Sequence, residues 1–331
     1  MLFRSVQFLK YDPRPSLQTI QSKNLRFFID RDIFELDVGS ASKLWDDPAV
    51  LKILKKQLPD GSWPDKNAKK HVDAHTNYRL VETYRNLRVL IEVFGMDRTH
   101  SAVENAVEYI FSTQTDEGDF RGIYGRQYSP NYTGGLLELI VMSGYFEDKR
   151  VDKAFHWFLK IQQKDGGWTL PMQTWDKKAR DWDEYVDKDI LTFQPEKPFA
   201  HFVTGIVLRA FANHPSFSHH PDAQKAGELI TTRFFKEDKY PSYKSAKTWT
   251  RYTFPFWWND LIAVLDALAK MGFSISNAGM KRAAYYYYGE QQSTGLWNFD
   301  ILQSKSLQDI PLWLNYRLCL ILKQIIKKNR E

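Results

Sequence analysis

Four acidic side chains in this sequence have the type and setting that general acid or base chemistry requires. Three of them, Asp181, Asp183 and Glu184, cluster in a segment predicted as a loop over residues 176–189. Clustered carboxylates raise one another's pKa, so that one of them can stay protonated and donate a proton. Asp260 precedes an apolar segment, where it could act as an acid or base or simply place a favourable charge at a helix N-terminus. The cluster also fits a solvated loop, because it is flanked by Lys177, Lys178, Arg180 and Lys188.

A second candidate site is a short alternation of possible metal ligands. His71, Asp73 and His75 occupy every other position of one segment. In an extended chain, alternate side chains point to the same side, and His and Asp are common zinc ligands. Hydrated loops that contain His fit the same pattern. The sequence therefore identifies no cofactor and leaves zinc and magnesium both open.

Aromatic rings form the third candidate site. The densest stretch is 249–260, in which Arg251 could bind a diphosphate through two parallel hydrogen bonds. The negative faces of such rings stabilise cations, although rings also pack between helices. Aromatic residues and one His occupy comparable positions, at the starts of other apolar segments. The candidate ligand-binding residues are Tyr78, Tyr128, Tyr132, His201, Arg251, Phe256, Trp257, Trp258, Trp313 and Tyr316.

A recurring seven-residue pattern must position these candidates. Four copies begin with Gln and end with an aromatic residue: Gln57–Trp63, Gln114–Phe120, Gln162–Trp168 and Gln291–Trp297. The Gln can bond to helix-end carbonyls, the Gly permits a tight reversal, and the ring covers the turn. A weaker copy is Phe234–Tyr240. Each copy, called a clip below, is expected to join two successive helices, and the repetition indicates a repeat architecture.

The clips resemble the Gln-Trp repeat of the terpenoid cyclase and protein prenyltransferase superfamily. The resemblance covers residues 46–328 and implies an all-α fold, an α/α toroid with about five to six inner and outer helices. It also implies a central cavity lined by aromatic rings that binds or converts an isoprenoid or other lipid-like ligand.

The usual catalytic motifs of that superfamily are incomplete here. Ala200–Val203 stands where an Asp-x-Asp-Asp motif is expected, and Asp46-Asp47 lacks the third Asp of a magnesium-binding motif. His75-Thr76-Asn77-Tyr78 resembles the His-Thr-x-Tyr zinc segment of protein prenyltransferases. The matching Asp-x-Cys is missing, since Cys319 lies on the last predicted helix. The resemblance therefore predicts a divergent member.

Two kinds of helix are predicted to alternate with the clips. Outer helices are apolar on one side, whereas inner helices follow a clip and are apolar nearly all round. The outer helices begin near Pro48, Thr99, Asp148, Pro221 and Asn277. The inner helices cover 75–94, 130–144, 198–212, 255–271 and 311–327. Residues 1–45 are predicted as an N-terminal segment with one amphipathic helix that packs on the toroid of residues 46–331, in a single domain overall.

Composition narrows the function class. Aromatic residues make up 15% of the chain, which favours a ring-lined binding site. The charge is +6, from 46 basic and 40 acidic residues, with no run of five like charges, so no nucleic acid partner is predicted. The lone Cys319 excludes an internal disulfide, and no apolar stretch is long enough to span a membrane. We expect a cytoplasmic protein for which peripheral membrane contact stays open.

The sequence leaves open whether the protein is an enzyme. Binding or conversion of an isoprenoid or other lipid-like ligand is the main prediction. An alternative is a carbohydrate-active α/α barrel, a glycosidase or lyase, in which Asp181, Asp183, Glu184 or Asp260 would form the carboxylate pair. A third hypothesis is a non-catalytic scaffold that binds a protein partner.

Overall fold

The computed structural model describes residues 8–67, 76–174, 185, 189–240, 244–302 and 309–327. These residues form an all-α structure, as predicted. The chain divides into two compact units. The middle unit contains Ala41–Ala226, and the terminal unit combines Met1–Ser40 with Gly227–Glu331. The predicted boundary at residue 45 and the single-domain organisation stay predictions.

The helices alternate along the chain in the order that the sequence predicts. In chain order they are α1 Arg14–Gln18, α2 Lys23–Asp32, α3 Pro48–Leu54, α4 Tyr78–Phe94, α5 Ser101–Phe111, α6 Pro130–Met142, α7 Lys149–Lys160, α8 Pro171–Thr174, α9 His201–Asn213, α10 Pro221–Thr231, α11 Leu261–Lys270, α12 Ala278–Glu290 and α13 Ile310–Lys327. Two short strands, β1 Arg251–Tyr252 and β2 Asp300–Ile301, pair in parallel. The predicted outer helices correspond to α3, α5, α7, α10 and α12, and the predicted inner helices correspond to α4, α6, α9, α11 and α13.

In three clear clips the Gln joins its own turn to the first turn of the next outer helix, and Gln291 joins its turn to the N-terminal segment. Gln114 donates from Nε2 to the Gly118 carbonyl at 2.9 Å and to the Arg150 carbonyl, in the first turn of α7, at 2.8 Å. One side chain therefore bridges two backbone acceptors that belong to different elements. The equivalent pairs of acceptors are Gly61 and Ala102 for Gln57, Gly166 and Asp222 for Gln162, and Gly295 and Tyr11 for Gln291.

The Trp of a clip joins the preceding outer helix to the following inner helix. In the third clip, Trp168 donates from Nε1 to the Phe158 carbonyl at 2.9 Å, and its backbone N–H donates to Thr204 Oγ1 at 2.9 Å. Phe158 lies ten residues back on α7, and Thr204 lies on α9. The same pair of bonds links Trp63 to Ile53 and Thr83, and Trp297 to Tyr287 and Asn315. The clips therefore fix where each inner helix begins.

The weaker clip, Phe234–Tyr240, uses a different aromatic residue from the one expected. Sequence analysis placed its ring at Tyr240, but Trp249 is fully buried, donates from Nε1 to the Lys236 carbonyl at 2.9 Å and packs on Phe234. Phe234 has no side-chain donor to replace the Gln. The Arg282 guanidinium instead donates to the Thr231 carbonyl at 3.0 Å, from α12 to the end of α10.

Small residues let the inner helices of the middle unit approach closely. Helix α6 packs against both α4 and α9. A Cβ atom on Gly134 would lie 3.1 Å from Val207 Cα, and one on Gly135 would lie 2.5 Å from the Tyr84 hydroxyl oxygen. The close packing of α6 on α4 and α9 therefore requires glycine at these two positions.

The N-terminal segment packs within the terminal unit, where α2 contacts α13. The single amphipathic helix predicted there is wrong, because the chain turns at Ser22 between α1 and α2. The apolar residues that suggested it, Leu17, Ile20, Leu25 and Phe28, are all buried. Two short helices can thus bury the same residues as one longer helix.

Candidate functional site

Four tyrosine rings from separate elements meet in the middle unit. The rings of Tyr124 and Tyr132 lie 5.2 Å apart between centroids, edge to face. Tyr84 of α4 lies 6.1 Å from Tyr132, and Tyr185 lies 6.3 Å from Tyr124. Edge-to-face contacts of this kind are the preferred geometry of aromatic pairs. Tyr124 and Tyr132 are half-buried, so this tyrosine cluster keeps part of its surface accessible.

Burial keeps the phenols of the cluster neutral. It raises the pKa of Tyr124, Tyr132 and Tyr185 above the ordinary value for tyrosine. A neutral phenol cannot act as a base near pH 7, but it can donate a hydrogen bond. Its π face attracts positive charge. The cluster can therefore contact an apolar chain and stabilise a cation without becoming an anion.

A buried ion-pair network lies beside the cluster. The Arg88 guanidinium donates to the Tyr84 hydroxyl at 3.0 Å and to Glu138 Oε2 at 2.7 Å. Arg209 of α9 donates to both Glu138 oxygens, at 2.9 and 2.6 Å, and Arg88 also pairs with Glu92. The network thus links α4, α6 and α9 with two positive and two negative side chains.

The carboxyl group of Glu138 does not fit the role of a proton donor. Burial alone would raise the pKa of Glu138, but the nearby charges of Arg209 and Arg88 outweigh burial and hold it below its ordinary value. Asp266 of the terminal unit is similar, because Arg317 and Lys270 outweigh burial and lower its pKa. Both carboxylates therefore stay ionised at neutral pH.

The four predicted ligand-binding residues of the middle unit differ in how deeply they are buried. Tyr132 belongs to the tyrosine cluster, and Tyr78 is half-buried at the first position of α4. Tyr128 is buried against the edge of Trp157, and burial raises its pKa to about 12. His201 is 1% exposed at the first position of α9, next to Phe199. Only Tyr78 and Tyr132 of these four keep accessible surface.

Gln127 holds the chain that follows the predicted acidic cluster Asp181, Asp183 and Glu184. Its side chain is fully buried and donates to the carbonyls of Tyr185 and Asp189, both at 3.2 Å. Its Oε1 accepts from the Leu191 N–H at 3.0 Å. No repeat or motif in the sequence marks Gln127, so its role was not predicted.

Two sets of predicted site residues fall outside the described part of the chain. One contains Asp181, Asp183 and Glu184, and the other contains His71, Asp73 and His75. Their acid and metal roles stay predictions. Within the described ranges, no group of three or more His, Cys, Asp or Glu side chains is placed to hold a metal ion.

In the terminal unit, several predicted ligand-binding rings pack together. Phe254 stacks on Trp313 at 4.8 Å between centroids, Phe256 meets Phe254 edge to face, and Tyr316 lies beside Trp313. The rings of Phe256, Trp313 and Tyr316 are at most 3% exposed. The Tyr316 hydroxyl donates to Asp32. These contacts agree with the helix-packing alternative.

Arg251 and the two adjacent tryptophans remain more accessible. The Arg251 side chain is exposed on β1 and lies 3.6 Å from the Asp300 carboxylate on β2. Trp257 and Trp258 are half-buried in the loop that precedes α11. Their predicted contact with a ligand stays a prediction.

Asp260 caps a helix. Its Oδ1 accepts from the Ala263 N–H at 2.9 Å, and its Oδ2 accepts from the Thr253 N–H at 3.1 Å, with the side chain fully buried. These bonds are those of an N-cap that also fixes the preceding loop. Of the two roles that the sequence suggested, the geometry favours the structural one, and the catalytic role stays a prediction.

A family model matches part of the middle unit. Residues 62–186 match the family model of the squalene-hopene cyclase C-terminal domain. This segment contains three clear clips in whole or part and all four rings of the tyrosine cluster. The predicted resemblance to the terpenoid cyclase superfamily is therefore confirmed.

The similar proteins include both a curated relative and solved structures. A squalene–hopene cyclase of Bradyrhizobium diazoefficiens is 30% identical over 86 residues, which are 26% of this chain and 13% of that protein. The type II terpene cyclase MstE from Scytonema, solved as a variant with its substrate geranylgeranyl dihydroxybenzoate, has 13% identity and a TM-score of 0.32, covering 88% of this chain and 97% of that one. A protein from Actinoplanes has 14% identity and a TM-score of 0.31, covering 87% of this chain and 100% of that one.

No helix in the described ranges is long and apolar enough to cross a membrane.

Proposed function

We propose that the middle unit binds an isoprenoid or other lipid-like ligand against the tyrosine cluster, Tyr84, Tyr124, Tyr132 and Tyr185. The observation that carries the proposal is the chain of edge-to-face contacts among these rings, two of which keep accessible surface. The confirmed resemblance to terpenoid cyclases supports the same ligand class. The cluster also lies within the segment that matches the family model.

The chemistry of the cluster suits an apolar chain. Each Å² of apolar surface that the rings cover contributes roughly 25 cal/mol, so a prenyl chain can bind without a charged contact. The neutral phenols can also donate a hydrogen bond to a head group. Their π faces would stabilise positive charge that develops on the bound chain.

Turnover needs an acid in addition to the tyrosine cluster. A cyclisation that begins with protonation needs an uncharged acid, and the lowered pKa of Glu138 excludes that group. Asp181, Asp183 and Glu184 directly precede Tyr185 in sequence and are the candidates for the acid. Ligand binding is therefore the core of the proposal, and turnover would depend on this acidic segment.

The proposal is tested with geranylgeraniol, geranylgeranyl diphosphate and squalene as probes. Native mass spectrometry and thermal shift should show a stoichiometric complex and a raised Tm for at least one probe, since a ligand that binds only the folded state stabilises it. The double variant Tyr124→Ala/Tyr132→Ala should weaken binding about tenfold or more. Tyr285→Ala, which removes an exposed ring from α12, should leave the affinity unchanged.

Two outcomes would refute the proposed function. One is the absence of binding by all three probes. The other is equal weakening by the Tyr285→Ala control, which would indicate nonspecific contact with exposed rings. A maltooligosaccharide tested in parallel should not bind, and its binding in place of the prenyl probes would favour the carbohydrate alternative.

A further inference from the structure

A concave site in the middle unit is separate from the tyrosine cluster and has no role in the proposed function. It is a pocket of about 150 Å³ between the end of α3, the first clip and α4. We call it the lysine pocket. Its lining residues are Lys52, Ile53, Lys56, Trp63, Pro64, Lys66 and Asn86.

The lysine pocket combines an apolar wall with a cationic rim. Ile53, Trp63 and Pro64 supply the apolar surface, and Trp63 is held in place because its Nε1 donates to the Ile53 carbonyl at 2.8 Å. Lys52 and Lys56 are exposed, and among the described residues neither forms an ion pair. Two ammonium groups therefore border the opening, and neither has an ion-pair partner in the part of the chain that the structure describes.

The third lysine is tied to a buried carboxylate. Lys66 Nζ lies 2.8 Å from Glu82 Oε2, and the Glu82 side chain is only 4% exposed. Arg85 of α4 also pairs with Glu82, at 2.6 Å. Among the residues that line the pocket, the three charged ones, Lys52, Lys56 and Lys66, are all basic, and Lys66 is the one paired with Glu82.

The size of the pocket indicates what it can hold. Pockets for drug-sized molecules usually measure about 300–1,000 Å³, which is well above the value found here. A pocket of about 150 Å³ matches one bulky apolar side chain, the kind of anchor that dominates protein–protein interfaces. A bilayer presents no such protruding anchor among its anionic head groups.

We propose that the lysine pocket binds an acidic segment of a partner protein, which inserts one bulky apolar side chain against Trp63 while flanking carboxylates meet Lys52 and Lys56. The apolar anchor supplies affinity, and the lysines supply charge complementarity, which mainly raises the association rate and the specificity. The rim lysines are exposed, so salt screens their attraction to the carboxylates. The binding should therefore weaken as salt rises.

The test uses a fluorescein-labelled peptide with the sequence Glu-Glu-Leu-Glu-Glu and fluorescence anisotropy on the full chain. We expect saturable binding that the Lys52→Glu/Lys56→Glu variant weakens about tenfold or more. The matched control Lys160→Glu/Lys281→Glu changes two exposed lysines elsewhere and gives the same net charge. It should change the affinity less than about twofold.

A second pair of probes separates the apolar anchor from the charge. Replacing the peptide's Leu with Ser should weaken binding about tenfold, whereas replacing its Glu residues with Lys should abolish it. Circular dichroism and urea unfolding confirm that each variant is folded.

Three results would overturn the proposal. The first is the absence of saturable binding up to about 1 mM peptide. The second is equal weakening by the two lysine double variants, which would show a general charge effect. The third is binding of phosphatidylserine vesicles that depends on Lys52 and Lys56 while the peptide does not bind, which would identify a lipid surface instead.

Discussion

The side chain of Gln291 forms hydrogen bonds with both the backbone N–H and the backbone carbonyl of Tyr11, 280 positions earlier in the chain. Its Nε2 donates to the Tyr11 carbonyl at 2.9 Å, and its Oε1 accepts from the Tyr11 N–H at 3.2 Å and from the Lys10 N–H at 2.7 Å. In the other clear clips, the Gln reaches the first turn of the next outer helix. Within the terminal unit, the N-terminal segment therefore takes the place that an outer helix takes in the other repeats.

We predict that Gln291→Ala destabilises the terminal unit by about 2–3 kcal/mol, because several buried backbone groups lose their partner. The adjacent Gln292 is a matched control, since its exposed side chain makes only one bond, to the Glu290 carbonyl. Gln292→Ala should cost less than about 0.5 kcal/mol. Urea unfolding followed by circular dichroism measures both, and equal losses would contradict the role assigned to the clip.

We predict that a side chain at Gly61, in the first clip, causes a steric clash. Gly61 has φ +86°, and a Cβ atom there would lie 2.1 Å from the Asn105 carbonyl oxygen of α5. Gly39 has φ +67° with no atom within 4 Å of such a Cβ atom. Gly39→Ala should therefore cost only the backbone strain of about 1–2 kcal/mol, and Gly61→Ala about 2 kcal/mol more from overpacking. Equal thermal shifts for the two variants would show that the clip turn is not pressed against α5.

The buried network should make stability depend on Glu138. Glu138→Gln leaves Arg88 and Arg209 without their shared counter-charge, so we expect a loss of about 3–5 kcal/mol at pH 7. Glu104→Gln, on the exposed side of α5, should change stability by less than about 0.5 kcal/mol. Chemical denaturation at pH 7 measures both variants.

The same network predicts a pH dependence of stability. The pKa of Glu138 is lower in the folded than in the unfolded protein, so its contribution is complete above the unfolded value of about 4.3. That contribution is lost as the pH falls from there through the folded pKa. The stability difference between wild type and Glu138→Gln should therefore be constant from pH 7 to about 5 and shrink at lower pH. A difference that does not change on acidification would show that Glu138 is already protonated.

Two substitutions separate the capping role of Asp260 from a catalytic one. Asn can keep the cap bond from the Ala263 N–H but cannot also accept from the Thr253 N–H, so Asp260→Asn should lose less stability than Asp260→Ala, which removes both bonds and should cost about 1–2 kcal/mol. Thermal unfolding measures both. If Asp260→Asn abolishes prenyl turnover while the protein stays folded at the assay temperature, the carboxylate acts beyond the cap and the predicted catalytic role gains support.

Helix starts were predictable where a local signal marks them. The outer helices were expected near Asp148 and Asn277, and these residues cap α7 and α12 by accepting backbone N–H bonds. The start of α11 was expected at Pro255 and lies at Leu261. Residues 253–260 instead form a loop that the buried Asp260 holds, and this tertiary contact leaves no periodic signal.

The candidate site was only partly predictable. Of the tyrosine cluster, the sequence pointed to Tyr132, because it follows a Pro at a predicted inner-helix start. Tyr84, Tyr124 and Tyr185 join it through tertiary packing of separate elements. The buried network did leave a signal, since Glu138 and Arg209 are single charges inside apolar inner-helix segments, which long apolar helices admit only when the charges are paired.

The central claim is that a prenyl chain lies against the tyrosine cluster, and photo-crosslinking tests it most directly. A diazirine-bearing geranylgeranyl alcohol is irradiated with the full chain, and the adducts are mapped by mass spectrometry. We predict light-dependent adducts on the peptides that contain Tyr124 and Tyr132, reduced by an excess of unlabelled geranylgeraniol. Adducts confined to exposed rings such as Tyr11 and Tyr285, and insensitive to the competitor, would contradict the claim.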